Sequence, residues 1–163
     1  MQSMRQVKTT RAKFIERKHL AILNAPLESS GTLAYIAPGR LEKHTLLPKA
    51  ESMILDQDTL ILESKEKNQR RTIALQEYPV IWAFVEGIRS TLAGDLETLN
   101  RFYRISPEGS ESKWRLVLKP VEPDMQRVVS EIRISGGGNR ISVIEIIETE
   151  GNHSTMTIIQ DGS

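Results

Sequence analysis

Hydrophobic and polar residues alternate along most of the chain, with one interruption near the middle. In the stretch GTLAYIAPGRLEKHTLL, large apolar side chains stand at every second position, as at Leu33 and Tyr35. This period of two is typical of half-buried strands. Pro38 and Gly39 fit a tight turn between two of these strands. The pattern predicts a meander of short antiparallel strands.

Turn-forming residues separate the predicted strands, as in NAPLESSG, LDQDT, SKEKNQR, PEGSES, VEPDMQ and GGGN. The predicted strands span residues 7–23, 32–36, 41–47, 52–56, 59–64, 70–75, 103–106, 113–119, 128–135, 141–148 and 154–160. We therefore expect one domain over residues 1–163, without internal repeats.

The stretch YPVIWAFVEGIRSTLAGD departs from this alternation. Its apolar residues at helical spacing are Ile81, Val85, Ile88 and Leu92. Pro79 suits the first helical position and Gly94 suits the end. Asp95 can cap a second short helix, DLETLNRFY. The sequence predicts helices only in this region, about residues 79–102.

The first helix is apolar nearly all round, because residues 80–85 are all apolar, Trp82 among them. One helix face cannot accommodate all of them, so the helix should be covered on more than one side. Three arrangements fit: a helix packed as ordinary core, a lid facing a ligand, or an interface. The first is favoured, and the sequence leaves all three open.

Composition narrows the function classes. The 163 residues carry 22 Lys and Arg against 21 Asp and Glu, so nothing indicates the basic face that nucleic acids require. The chain has no cysteine, which removes disulfides and thiolate chemistry. No apolar run is long enough to cross a membrane, and the N-terminus lacks the apolar core of a signal peptide. A cytoplasmic protein and an exported protein with its signal removed both fit.

Candidate chemistry is sparse. His19, His44 and His153 are far apart in sequence, and ordinary surface or edge positions are expected for them. The three glycines before Asn139 precede a strand rather than a helix, so they predict a hairpin turn and not a phosphate loop. Asp56 is expected in a turn, not in a metal site. No nucleophile–base set is recognisable, so we expect no enzyme activity, no cofactor and no metal.

Several motifs follow one another along the chain. They are a first strand with Phe14, GTLAY at residues 31–35, APGRL at 37–41 and PKAESMILDQDTLIL from Pro48. A proline and a closing Gly-Asp follow at residues 79–95, and WRLVLKP follows at 114–120. The order of these motifs resembles that of the LolA family of periplasmic lipoprotein carriers. The chain is identified as a divergent member of this family, and the resemblance spans nearly all of it.

The resemblance implies a mainly β (α+β) fold, in which a strongly curved antiparallel sheet forms an incomplete barrel closed by a helical lid. It implies a periplasmic carrier, with its signal peptide removed, that binds acyl chains of lipoproteins or other lipids in a hydrophobic cavity. An inner-membrane transporter or exporter would be the donor and an outer-membrane protein the acceptor. A lipid- or lipoprotein-binding sensor or interaction module on the same fold is the alternative.

The residues expected to line the cavity or its lid are large and apolar. They are Phe14, Leu33, Tyr35, Leu41, Leu55, Leu62, Ile81, Trp82, Val85, Ile88, Leu92, Leu96, Trp114, Leu116 and Leu118. The facing of each strand is an assumption, since a slip of one residue reverses it. Ala37 stands where the best-known carriers have an arginine that helps to hold the lid shut, and Arg40 is not assumed to replace it. This departure leaves open whether the cargo is a lipoprotein or another lipid.

Overall fold

A computed structural model describes residues 9–20, 22–36, 39–138 and 140–160. Most of these residues are in strands: β1 (Thr9–His19), β2 (Leu27–Ile36), β3 (Arg40–Leu47), β4 (Glu51–Asp56), β5 (Thr59–Ser64), β6 (Gln69–Ala74), β7 (Tyr103–Ser110), β8 (Lys113–Pro120), β9 (Val129–Gly137), β10 (Arg140–Glu148) and β11 (His153–Gln160). The helices are α1 (Pro79–Ala93), α2 (Leu96–Phe102) and the single turn α3 (Pro123–Gln126), and residues Leu75–Glu77 form a 3-10 turn.

The eleven strands of the described residues form one antiparallel sheet, in the order β6-β5-β4-β3-β2-β1-β11-β10-β9-β8-β7. Strands that are neighbours in sequence pair within β1–β6 and within β7–β11, and the two halves join where β1 pairs with β11. Helices α1 and α2 connect β6 to β7, the two edge strands of the sheet. The sheet is strongly curved and does not close, which confirms the predicted incomplete barrel.

The strand registers collect large apolar residues on the concave face. Phe14 of β1 stands opposite Gly31 of β2 on one side and Ile158 of β11 on the other. A Cβ atom at Gly31 would lie 1.9 Å from the backbone oxygen of His44, so only glycine fits this position. The aromatic ring of Phe14, which is 1% exposed, therefore stands opposite a residue with no side chain.

The helix boundaries follow the sequence signals. Pro79 is at the first position of α1, and Gly94 ends that helix in the left-handed region with a φ of 68°. The Asp95 carboxylate then caps α2 by accepting a hydrogen bond from the Thr98 backbone N–H at 3.1 Å.

Four local predictions were wrong. The segment NAPLESSG, expected to turn, supplies the first five residues of β2, which begins at Leu27 because pairing with β1 extends to Lys18. The first strand ends at His19 rather than at residue 23, because the Leu23 backbone N–H turns back to the Leu20 carbonyl at 3.0 Å. The strand predicted for 103–106 continues to Ser110, because cross-strand pairing with β8 extends through the residues expected to turn. The expected linker VEPDMQ contains α3, which buries Met125 completely.

Helix α1 packs against both halves of the sheet. Ala83 belongs to a buried cluster with residues of β7–β10, including Leu118 and Ile132. Val85, two positions later, belongs to a second cluster with residues of β2–β6, including Leu55. The helix therefore fills the concave side of the sheet, which explains why it is apolar on more than one face. The side chains at positions 80 and 84 of the apolar run lie outside the described set.

Candidate functional site

An apolar cavity lies between the concave face of the sheet and α1, with a volume of about 130 Å³. Its apolar lining residues are Ala12, Leu33, Ala34, Tyr35, Leu41, Met53, Ile88, Leu92, Ile141, Ile144, Ile146, Met156 and Ile158. Thr10, Glu16 and Lys43 complete the lining. Aliphatic side chains thus form most of the cavity lining.

Some of the predicted ligand-binding residues line this cavity: Leu33, Tyr35, Leu41, Ile88 and Leu92. A second group packs beside it in the cluster between α1 and β2–β6: Leu55, Leu62, Ile81, Trp82 and Val85. The remaining interior residues are Phe14, Leu116 and Leu118, which are buried, and Trp114, which is half-buried.

Leu96 is placed differently from the other predicted residues. It is the first residue of α2 and is 36% exposed. The helix turns Leu99 inward instead, with 0% exposure. The structure therefore brings the predicted set together around one interior, except for Leu96.

Sequence reasoning missed the wall of the cavity that β10 and β11 form. Ile141 and Ile144 both line the cavity although their separation does not fit strict alternation, because a register shift between Ile141 and Val143 resets the strand. The segment ISVIEIIE is apolar on both parities, so its pattern does not indicate a face. In β11 the alternation of side chains does indicate the inner face, since Met156 and Ile158 are two positions apart and both line the cavity.

Two charged side chains line the same cavity at one end. The Lys43 Nζ lies 3.3 Å from the Glu16 Oε1, and the side chains of Lys43 and Glu16 are 24% and 22% exposed. The Lys43 Nζ also lies 5.2 Å from the centroid of the Phe14 ring, within the range of a cation–π contact. The pair is half-buried and adjoins the apolar wall.

Arg89 connects α1 to the loops at the opposite rim of the sheet. Its guanidinium donates to the Gly39 carbonyl at 3.4 Å and to the Gln57 carbonyl. Gly39 precedes β3 and Gln57 lies between β4 and β5, so one side chain of the helix contacts two hairpins. These contacts hold α1 over the concave face.

The Arg89 guanidinium is itself held by the helix. It forms an ion pair with Glu86, and the side chains of Arg89 and Glu86 are 12% and 8% exposed. The Ser90 hydroxyl donates to the other Glu86 oxygen at 3.0 Å. Burial lowers the pKa of Arg89, and burial raises the pKa of Tyr35 while the nearby positive charge of Arg89 opposes that change.

Tyr103, the first residue of β7, forms a hydrogen bond that connects α1 to the half of the sheet formed by β7–β11. Its hydroxyl donates to the Ala83 carbonyl at 2.5 Å, and burial raises the pKa of this hydroxyl. Gly87, the helix residue above the ring, leaves room for it, since a Cβ atom there would lie 2.9 Å from the Tyr103 oxygen.

Ala37, which stands at the position of the family's lid arginine, lies outside the described residues. Within the part of the chain that the structure describes, Arg40 forms no hydrogen bond with α1. It donates to Glu42 at 2.7 Å and to Asp56 at 3.1 Å, along the edges of β3 and β4. Among the described residues, the arginine that connects the helix to the loops is Arg89.

The histidines are not all separate in space. His19 and His153 are cross-strand partners whose rings stack with centroids 4.4 Å apart. His44 lies between the Glu42 carboxylate and the Ser52 hydroxyl, each 3.0 Å away. Within residues 9–20, 22–36, 39–138 and 140–160, no group of three or more His, Asp or Glu side chains is placed to hold a metal ion.

Comparison with known proteins identifies the fold. A family model described as "Outer membrane lipoprotein carrier protein LolA-like" matches residues 1–161. An uncharacterized conserved protein from Thermus thermophilus aligns with a TM-score of 0.56 at 8% identity, covering 96% of this chain and 78% of that one. A chain of the Pseudomonas aeruginosa MucA/MucB complex aligns with a TM-score of 0.51 at 11% identity, covering 99% of this chain and 54% of that one.

A putative outer membrane lipoprotein-sorting protein domain from Vibrio parahaemolyticus aligns with a TM-score of 0.49 at 7% identity, over 99% of this chain and 89% of that one. A sequence comparison with curated proteins found no match. At these identities the structural likeness concerns the fold.

The family match confirms the resemblance seen in the sequence. It supports a lipid- or lipoprotein-binding function of the carrier type in general, and a location outside the cytoplasm. No helix in the described part of the chain is long and apolar enough to cross a membrane. Because the family model matches residues 1–161, the chain belongs to the LolA-like family of outer membrane lipoprotein carrier proteins, of which it is a divergent member.

Proposed function

We propose that this protein is a non-enzymatic periplasmic carrier, which binds acyl chains of lipoproteins or other lipids and takes them from the inner to the outer membrane. An inner-membrane transporter or exporter supplies the cargo, and an outer-membrane acceptor receives it. The observation that carries the proposal is the apolar cavity under α1, walled by aliphatic side chains of the sheet and the helix.

The physical need for such a cavity is large. Exposing an acyl chain of about 14 methylenes to water costs about 11 kcal/mol, at about 0.8 kcal/mol for each methylene. A lipid that crosses an aqueous compartment therefore needs an apolar container. Release requires the opposite, so the container must also open at a modest free-energy cost.

The size of the cavity indicates how loading proceeds. A volume of about 130 Å³ is close to that of an engineered cavity of about 150 Å³ that takes up benzene. A long acyl chain does not fit beside α1 in this arrangement. Loading must therefore displace α1 from the concave face, breaking the contacts that Arg89 makes with the loops.

The proposal is tested by purifying the protein from a bacterial host and analysing bound lipids by native mass spectrometry and solvent extraction. Leu33→Trp fills the cavity without burying a charge, and we expect it to remove co-purifying acyl species. The matched control is Ile159→Trp on the outer face, where Ile159 is 49% exposed. Circular dichroism establishes that both variants fold. An absence of acyl species and of fatty-acid probe binding in the folded wild type would refute the proposal.

The alternative is a sensor or interaction module that binds a lipoprotein or peptide to regulate another protein. One structural neighbour was solved as the complex of MucA and MucB, so this fold is found in a protein–protein complex. A pull-down with delipidated protein separates the two functions. A partner that stays bound after delipidation, together with an empty cavity, would favour the sensor.

A further inference from the structure

One end of the cavity is lined by two charged side chains, whereas the rest of its lining is mainly apolar. Glu16 and Lys43 are the charged side chains among its lining residues, and both belong to the concave face. In the strand registers Lys43 stands between Leu33 and Met53, two residues that also line the cavity. An ammonium group among aliphatic side chains carries a desolvation cost that a purely structural wall would avoid.

The Lys43 ammonium lies beside one carboxylate and one aromatic ring. Its Nζ is 3.3 Å from the Glu16 carboxylate and 5.2 Å from the centre of the Phe14 ring. An ammonium has three N–H donors. Among the described residues the structure gives Lys43 one hydrogen bond, to Glu16, so further donor capacity is available to a ligand at this end of the cavity.

Lys43 also marks the boundary between two environments. Lys43 and Met53 line both the apolar cavity and an adjoining groove of about 410 Å³. The groove is more polar, and its lining includes Thr45 and Arg71 as well as two carboxylates, Glu51 and Glu63. Glu63 lies 3.5 Å from the Arg70 guanidinium. An amphiphile with its tail in the cavity would thus place its head group beside Lys43.

We propose that the cavity binds an amphiphile with an anionic head group, a carboxylate or a phosphate, which accepts hydrogen bonds from Lys43. Glu16 shares the ammonium with the ligand and so weakens the attraction for an anion. This inference rests on the proposed function, because it names the class of lipid that the same cavity carries.

The test compares C12 ligands that differ only in the head group: dodecanoate, dodecyl phosphate, dodecanol and dodecylamine. Their dissociation constants are measured at pH 8 by displacement of a fluorescent acyl probe. For the wild type we expect each anion to bind about fivefold to tenfold more tightly than the alcohol, the range of a partly exposed charge-assisted hydrogen bond. The ranking of the two anions identifies the head group.

Three variants isolate the contribution of Lys43. Lys43→Met should remove the preference for anions and leave alcohol binding within about twofold, because the methionine keeps the apolar stem. Glu16→Gln should increase the preference, since it frees the ammonium. Lys13→Met is the matched control, because Lys13 is an exposed residue of β1 on the outer face and should change nothing.

The outcomes separate this inference from the proposed function. Equal binding of anion and alcohol by the wild type, tighter binding of the amine, or an unchanged preference in Lys43→Met would overturn the head-group proposal and leave the carrier intact. Failure of all four ligands to bind any folded variant would overturn both. Loss of the anion preference in Lys43→Met, with its increase in Glu16→Gln, supports the inference.

Discussion

Arg89 offers a way to loosen α1 from the sheet without changing the cavity. Its guanidinium contacts the carbonyls of Gly39 and Gln57 on two hairpins and pairs with Glu86 on the helix. Replacing Arg89 alone would leave the Glu86 carboxylate, 8% exposed, without its cation. The informative variant is therefore Arg89→Met with Glu86→Gln, which removes both charges and keeps side chains of similar length.

The magnitude follows from the two contacts between the helix and the hairpins. A hydrogen bond from a charged donor contributes about 1.5–3 kcal/mol when its geometry is good. The contact with Gly39 is long, at 3.4 Å, so the two together should hold the helix by about 1–3 kcal/mol. Losing them should raise the population of open molecules by about fivefold to 150-fold.

Two measurements report this change. Hydrogen exchange should accelerate at the amides of α1 while the amides of β8–β10 keep their protection. Stopped-flow uptake of a fluorescent fatty acid should accelerate by a similar factor, because entry requires an open helix. The control is Arg17→Met with Glu28→Gln, an ion pair whose side chains are 62% and 56% exposed and which is remote from α1.

Two outcomes would contradict a specific role of Arg89 in holding α1. If the Arg89→Met, Glu86→Gln protein is folded but shows unchanged exchange in α1 and unchanged uptake, Arg89 does not hold the helix. If exchange accelerates equally in α1 and in the sheet, the substitutions destabilise the whole fold and the contacts are not specific to the helix.

Three further predictions concern the packing and the charges around the site. Tyr103→Phe removes the 2.5 Å hydrogen bond to the Ala83 carbonyl and should lower the free energy of unfolding by about 1–2 kcal/mol, measured by urea denaturation. Gly31→Ala should destabilise the fold by about 2 kcal/mol or more, because its Cβ would lie 1.9 Å from the His44 oxygen; an unchanged melting temperature would contradict this. Hydrogen bonds with His44 and, to a smaller extent, with Arg40 lower the pKa of Glu42 from 4.5. The Glu42 carboxylate therefore contributes stability that is present above pH 4.5 and is lost as the pH falls through the lower pKa of the folded protein. The stability difference between the wild type and Glu42→Gln should therefore shrink in acid.

Local signals account for most of the element boundaries. The helix begins at Pro79 and ends before Gly94, as the sequence predicts, because proline and glycine act on their own backbone torsions. The strand Thr59–Ser64 also has the predicted bounds. The misplaced boundaries, such as the extension of β7 to Ser110, depend on pairing with a partner strand rather than on the residues themselves.

The candidate site was only partly predictable. Leu33, Tyr35 and Leu41 belong to a stretch with clear alternation and line the cavity. Ile144 was missed because β10 is apolar on both parities and contains a register shift. Leu96 belongs to a short helix whose facing depends on its contacts with α1 and β7, and it is exposed.

By itself, the sequence determined that this protein is a long antiparallel meander with one apolar helical excursion, and its motif order indicated the family. Only the tertiary structure decided which face of each strand lines the cavity, because a period of two is the same in either orientation. It also decided which distant residues meet. The pairing of β1 with β11 stacks His19 on His153, and the helix reaches back fifty positions along the chain to place Arg89 on Gly39. Such contacts depend on the curvature of the whole sheet, which no local pattern specifies.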